Sequence, residues 1–325
     1  MTNAEQLRQP THAGVNEAAR KIADILPPTP LLPLEINGAG CWAKAEGLQP
    51  IGAFKIRGAW HRLTALSPQQ RAAGVVAVSS GNHAQGVAWA ANRLGIAATI
   101  VMPADAPATK LDRTRELGAQ VITYDRMSED REAIAAAIAS ERKATFVHPF
   151  ADPWVIEGQG SAGIEIAAQL AAQGATRPSR IITCCGGGGL SAGLALACRD
   201  AVIVPVEPEG WDDVARSLAS GTIQSVIANP PATPCDALQT FATSPLNFAI
   251  LQDRCAPGLT VSEREVRDAQ RFAFARLGLV LEPGGAVALA AALAGKAALD
   301  GITVITLSGS NADPQDFAKV LAATD

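Results

Sequence analysis

Lys55 stands in the run Gly52-Ala53-Phe54-Lys55-Ile56-Arg57-Gly58, an amine held between an aromatic and an aliphatic neighbour. Withdrawing an ammonium group from water favours its neutral form, so a lysine in such surroundings has a lowered pKa and an available lone pair near neutral pH. That lone pair can attack a carbonyl carbon to form a Schiff base, and it can remove an activated C–H proton. An ordinary lysine on a short basic turn would read the same way, so the case depends on what else the chain carries.

A second stretch, Cys184-Cys185-Gly186-Gly187-Gly188-Gly189-Leu190-Ser191, lies between a strand pattern (RIITCC) and a helix pattern (LSAGLALACR). At such a junction free backbone N–H groups and the positive end of the helix dipole favour an anion, and glycines let the main chain approach it closely. This is a phosphate cup, with the owner of the phosphate left open. Gly186-x-Gly188 could begin a dinucleotide fingerprint with Glu207 near the position of the ribose acid, but Ser191 stands where the third glycine belongs. Without a Gly-Lys-Ser/Thr continuation, a Walker loop is excluded.

The elements that must position these groups alternate. Residues 14–25 read as a helix that stops before Pro27-Pro28-Thr29-Pro30, residues 41–45 as a short strand, and 58–66 as a helix. Strand patterns at 75–80, 97–103, 120–124 and 145–149 are separated by helix patterns at 84–95, 109–117 and 129–141. A second series runs through a helix at 156–173, strands at 180–185 and 202–207, helices at 262–277 and 284–293, and a strand at 302–307 that ends in Ser308-Gly309-Ser310-Asn311. Alternation of this kind implies parallel sheets covered on both faces, hence an α/β protein with two such units and a site at the carboxyl ends of the strands.

Composition narrows the function. The 325 residues, 48% hydrophobic and 18% charged with a formal net charge of −4, describe a globular chain of about two domains and no basic surface for nucleic acid. Six cysteines at 41, 184, 185, 198, 235 and 255 show no Cys-x-x-Cys spacing and read as buried small hydrophobes in a reducing compartment. The amino terminus lacks a secretory pattern, and four glycines interrupt the uncharged run 181–198, so neither export nor a membrane span is expected; the expected location is the cytoplasm.

Five stretches occur together and in order: Gly52-Ala53-Phe54-Lys55-Ile56-Arg57-Gly58-Ala59; Ser79-Ser80-Gly81-Asn82-His83-Ala84-Gln85-Gly86; the glycines 186–189 with Leu190; Glu207-Pro208-Glu209; and Ser308-Gly309-Ser310-Asn311. The set resembles the threonine/serine dehydratase and serine racemase family, of pyridoxal phosphate fold type II, over nearly the whole chain. The resemblance implies two α/β domains, each with a mostly parallel sheet flanked by helices and the active site between them: a large cofactor-binding domain from 1–69 and 150–325, and a small mobile domain from 70–149. It implies pyridoxal 5′-phosphate anchored on Lys55 beside Phe54, with Asn82 on the ring hydroxyl and Ser308 on the pyridine nitrogen. The phosphate would lie on Gly186, Gly187, Gly188, Gly189 and Leu190, and Ser80, Gly81, Asn82 and His83 would grip the substrate carboxylate.

The activity implied is that of an ammonia-lyase acting on a β-hydroxy amino acid (L-threonine, L-serine, 3-phenylserine or 3-hydroxyaspartate), releasing water, a 2-oxo acid and ammonia. A hydroxyl at 308 supplies no negative charge to keep the ring nitrogen protonated, which suits β-elimination better than transamination. Ser80, across the cofactor from Lys55, would allow racemisation as a second activity, whereas Phe150 stands where racemases have asparagine. Arg131 aligns with a family arginine near the pocket and could meet a second carboxylate. Glu207, the Trp211 carbonyl and Asp213 resemble the family's divalent-cation site, of a kind that suits Mg²⁺ or Ca²⁺. A homodimer is expected. The reading from a different class is an NAD-binding oxidoreductase using Gly186 to start its fingerprint.

Overall fold

The computed structural model describes residues 8–79, 81–106, 108–125 and 127–323, with only the backbone of Thr109. Helix α1 (His12–Ala23) is capped by the Thr11 hydroxyl, which accepts from the Gly14 N–H. Strands β1 (Leu31–Ile36) and β2 (Ala39–Ala45) form an antiparallel hairpin whose two turn residues, Asn37 and Gly38, both have positive φ. β1 is not among the expected strands, and it carries Pro33, which has no N–H to give a ladder. It is tolerated because β1 is an edge strand, where a missing N–H breaks no inner ladder.

Next come α2 (Lys55–Thr64), α3 (Pro68–Ala73), β3 (Val75–Val78), α4 (Asn82–Leu94), β4 (Ala98–Pro103), α5 (Ala108–Glu116), β5 (Gln120–Tyr124), α6 (Arg131–Arg142) and β6 (Thr145–Phe146). The sheet here has the order β5-β4-β3-β6 and is parallel throughout. β6 is shorter than the strand expected over 145–149. His148 Nδ1 accepts from the N–H groups of Phe150 and Ala151, and Pro149 has no N–H to continue a ladder, so the chain turns into the site.

The remainder supplies α7 (Pro153–Ala172), β7 (Arg180–Cys184), α8 (Gly189–Ala197), β8 (Val202–Pro208), α9 (Asp213–Ser220), α10 (Pro245–Arg254), β9 (Leu259–Val261), α11 (Glu263–Phe272), α12 (Pro283–Leu293), β10 (Thr303–Leu307) and α13 (Pro314–Ala322). The larger sheet has the order β1-β2-β10-β7-β8-β9, parallel except for the hairpin. Helix α11 widens into a π turn over Ala273–Leu277 before Gly278, so the helix expected over 262–277 is present with a change of pitch at its end. Among the described residues no helix is long and apolar enough to cross a membrane.

The helix that begins at Lys55 is held by packing and by charge. A Cβ on Gly58 would come within 2.4 Å of Gln159 Nε2, and one on Gly158 within 2.6 Å of the Arg57 carbonyl, so α2 and α7 meet backbone to backbone. Arg57, wholly buried, donates from Nε to Glu46 Oε2 at 2.7 Å and from NH2 to Glu46 Oε1 at 2.8 Å. Its NH1 donates to Glu165 Oε1 at 2.6 Å, and Lys44 adds a further cation to Glu165 at 2.7 Å. A buried guanidinium with two carboxylates is costly to break, because removing one partner leaves an uncompensated charge. The cluster therefore fixes α2 two residues beyond Lys55.

Candidate active site

The carboxyl ends of β3, β7 and β10 and the first residues of α2, α4, α8 and α12 border one cavity of about 410 Å³. Four helices thus bring their positive ends to the same space, which favours an anionic ligand. Lys55 opens α2 and lines the cavity; its Nζ donates to the Pro149 carbonyl at 2.8 Å and lies 5.3 Å from the centre of the Phe54 ring. Burial lowers its pKa to about 8, so a useful fraction of the amine is neutral near pH 7.

Opposite stands the glycine loop. Gly188 has φ +86° and caps α8, a conformation an L side chain rarely adopts. A Cβ on Gly187 would lie 2.4 Å from the Phe150 ring, and one on Gly189 3.1 Å from Phe150 Cβ, so the loop leaves no room for side chains. The Gly187 carbonyl accepts from Thr243 Oγ1 at 3.1 Å and from Asn247 Nδ2 at 2.5 Å, which fixes the peptide plane. Thr243 and Asn247, both buried, are not anticipated by the sequence: they lie more than fifty residues from the glycines and carry no local signature.

Asn82 opens α4 and is buried; its N-cap is Gly81, which has no side chain to cap the helix and whose own N–H donates to Ser79 Oγ at 3.1 Å. His83 Nε2 lies 3.0 Å from the Val147 carbonyl, a group that only accepts, so Nε2 carries the proton and Nδ1 is a buried lone pair without a partner. Burial, followed by Lys55, lowers its pKa to about 3. The imidazole is therefore neutral, and what this position offers a carboxylate is its backbone. Ser308, after β10, is buried on the cavity wall. Ser80 lies outside the described residues.

Phe150 and the segment from Asp236 to Phe241 line the cavity, with Phe241 exposed at its mouth and tilted on Trp211 at 5.8 Å. Arg131 also lines it, together with Lys110 from α5, which is ion-paired with Asp236 across the opening. His148 sits between Phe146 and Phe150, edge-on to both, and burial lowers its pKa to about 4. Sequence reasoning also missed Glu282, a buried carboxyl on the cavity wall that accepts from Asn82 Nδ2 at 2.6 Å. The two are 200 positions apart, and nothing local in Leu281-Glu282-Pro283 marks an active-site acid.

Glu207, Trp211 and Asp213 are buried away from this cavity. Glu207 accepts from the N–H of Val214 at 3.1 Å and of Ala215 at 2.7 Å, so it caps α9 and is not placed to bind a ribose at the glycine loop. The dinucleotide reading loses its acid. Among the described residues no three His, Cys, Asp or Glu side chains converge as a metal cage. The Asp213 carboxyl is nevertheless buried, and burial, offset in part by the main-chain N–H groups of Thr243 and of Asp213 itself, raises it to about 7.

The cavity suits a phosphorylated pyridine aldehyde: an amine of lowered pKa at one wall, a side-chain-free cup at a helix start on the other, and a hydroxyl and an amide between them. Comparison with known proteins agrees. The chain is 38% identical to an L-threo-3-hydroxyaspartate ammonia-lyase of Saccharomyces cerevisiae over 97% of this chain and 98% of that protein. It is 38% identical to a serine racemase of Schizosaccharomyces pombe over 98% of this chain and 99% of that one. The crystal structure of a T.th. threonine deaminase superposes with a TM-score of 0.86 at 41% identity, covering 94% of this chain and 99% of that chain. Residues 22–309 match the family described as pyridoxal-phosphate dependent enzyme, and with two parallel-rich sheets converging on one lysine the chain belongs to that family, in its fold type II branch.

Proposed function

We propose that the protein is an ammonia-lyase that eliminates water from a β-hydroxy amino acid, and that its preferred substrate carries a second carboxylate, as 3-hydroxyaspartate does. The observation that carries the proposal is the sharing of one cavity by the Lys55 amine, the glycine cup and the cations Arg131 and Lys110. Lys55 would hold pyridoxal phosphate covalently, Gly186, Gly187, Gly188, Gly189 and Leu190 its phosphate, Asn82 the ring hydroxyl, and Ser308 the ring nitrogen. When bound, the cofactor supplies an electron sink that makes the substrate Cα–H acidic. The main-chain N–H groups at Asn82 and His83 would orient the substrate carboxylate, beside Gly81, whose own N–H donates to Ser79 Oγ at 3.1 Å. The Lys55 amine would be the base that takes the substrate Cα proton; the C–H electron pair would form the Cα–Cβ double bond as the β-hydroxyl leaves, with a proton, as water.

A keto-acid assay over a panel of serine, threonine, 3-phenylserine and 3-hydroxyaspartate, run with an ammonia assay and chiral analysis of recovered amino acid, tests this. Release of ammonia fastest from 3-hydroxyaspartate supports the proposal. Inversion without ammonia would make the protein a racemase and overturn it. Arg131→Ala is expected to raise KM for 3-hydroxyaspartate by about 10- to 100-fold, the loss of one charge-assisted hydrogen bond, while leaving KM for serine nearly unchanged. An equal rise for both substrates would remove Arg131 from the specificity reading.

Two buried carboxyls that repel each other, Asp213 and Glu207, support a second assignment, a divalent cation held by Asp213, Glu207 and the Trp211 carbonyl. Oxygen donors with water completing the shell suit Mg²⁺ or Ca²⁺. Thermal unfolding followed with and without added Mg²⁺ or Ca²⁺ checks it: the midpoint rises by a few degrees in the wild type and stays put in Asp213→Asn. A response retained in that variant would contradict the assignment.

A further inference from the structure

Glu282 has no part in the chemistry described so far, yet it is the one buried carboxyl among the described residues lining the cavity. Its place is specific: a Cβ on Gly309 would fall 1.8 Å from Glu282 Oε1, so the neighbouring residue is bare where the carboxyl lies. The Glu282 N–H donates to the Gly309 carbonyl at 3.1 Å.

The direction of the hydrogen bonds around it is fixed from outside. Arg113 on α5 can only donate, and its NH1 reaches Asn311 Oδ1 at 2.9 Å. Asn311 must then present its Nδ2, which donates to Asn82 Oδ1 at 2.7 Å and to the Ile51 carbonyl at 2.8 Å. Asn82 in turn must present Nδ2 to Glu282, which accepts at 2.6 Å. One Asn82 N–H is thereby committed to Glu282. The second has no partner among the described residues and belongs to a group on the cavity wall.

Resting on the reading of Asn82 as the ligand of the cofactor's ring hydroxyl, we propose that Glu282 is a positioning residue that locks the Asn82 amide so that its remaining N–H is aimed at that hydroxyl, and that it links cofactor affinity to pH. The neutral acid accepts from Asn82 without adding charge. The ionised form sets an anion beside a ligand that is itself anionic. Burial raises the Glu282 carboxyl to about 7, so the change of state falls near neutrality. The charged groups that face it are Asp236 and Lys110, which act on it with opposite sign and are paired with each other. The thiols of Cys184 and Cys235 also face it, both held protonated by burial.

The test is equilibrium titration of the cofactor-free protein with pyridoxine 5′-phosphate, which has the ring hydroxyl and the phosphate but no aldehyde to engage Lys55. For Glu282→Gln, whose amide oxygen still accepts from Asn82, the Kd should match the wild type at pH 6. The wild-type Kd should then rise relative to that of Glu282→Gln by about tenfold between pH 6 and pH 8. Glu282→Ala, which frees the Asn82 amide to rotate, should bind about tenfold more weakly than the wild type at pH 6. A ratio of wild type to Glu282→Gln that stays constant over this range, or a Glu282→Ala variant that binds like the wild type at pH 6, overturns the inference. Failure of the wild type to bind the probe at all overturns the cofactor-site reading, and this inference with it. Because the probe forms no bond to Lys55, a failure of the lysine assignment leaves these outcomes legible.

Discussion

Replacing Lys55 by alanine is expected to lower turnover of the preferred substrate by on the order of 10⁴-fold, because the proposed function makes one side chain both the covalent anchor and the base that takes the Cα proton. Folding should survive the change. The Nζ makes a single hydrogen bond, to the Pro149 carbonyl at 2.8 Å, and the helix that Lys55 opens is held through Arg57, Gly58 and α7. Ammonia release measured beside a thermal melt separates the two effects. A Lys55→Ala protein that keeps more than about a hundredth of the wild-type rate would take the base role away from this residue.

The second large effect is expected at Gly187, where a side chain would collide with Phe150 at 2.4 Å from the ring. The ring cannot withdraw without entering the cavity or pushing on the His148 ring, which stands edge-on to it at 4.6 Å. Overpacking of this kind typically costs about 1–3 kcal/mol, and here it falls on the wall of the phosphate cup. Gly187→Val should weaken pyridoxal phosphate binding by about 100-fold, equivalent to about 2.8 kcal/mol. Gly40→Ala is the control: a Cβ there meets nothing within 4 Å, and affinity should not change. Equal affinity for all three proteins would mean that the phosphate lies elsewhere.

What could be read from the sequence was what is local in it. Lys55, the glycines 186–189 and Ser308 each sit in a short run at the end of a strand or the start of a helix, and the alternation around them places those ends on one side of a sheet. All of them line one cavity. What was not legible depends on pairs that only the fold brings together. Glu282 acquires its place from Asn82 and Gly309, and Asn247 from the Gly187 carbonyl 60 positions away. The arginine at 57 looks in the sequence like one more charge near the lysine, and its role as a buried tether emerges only once Glu46 and Glu165 are beside it. His83 illustrates a finer limit. Its place at the start of α4 does not reveal its protonation state: burial and the Val147 carbonyl fix a neutral ring whose free nitrogen is an acceptor, so the ring has no positive charge to offer a carboxylate.

The elements missed follow the same rule. β1 is hidden by Pro33, which an edge strand tolerates. Short helices such as α3, α9 and α13 carry too few turns for a periodic signal; their first turns are set instead by Ser67, by the Glu207 carboxylate and by Asp313.

Everything functional proposed for this chain rests on one covalent link between the Lys55 amine and an aldehyde cofactor. Reduction of the cofactor-loaded protein with borohydride, followed by proteolysis and mass mapping, tests that link directly. The expected result is a single phosphopyridoxyl group on the peptide that spans Gly52 to Arg57, with loss of the visible absorbance band. A label on any other lysine, or no label on protein that retains the cofactor, would contradict the account.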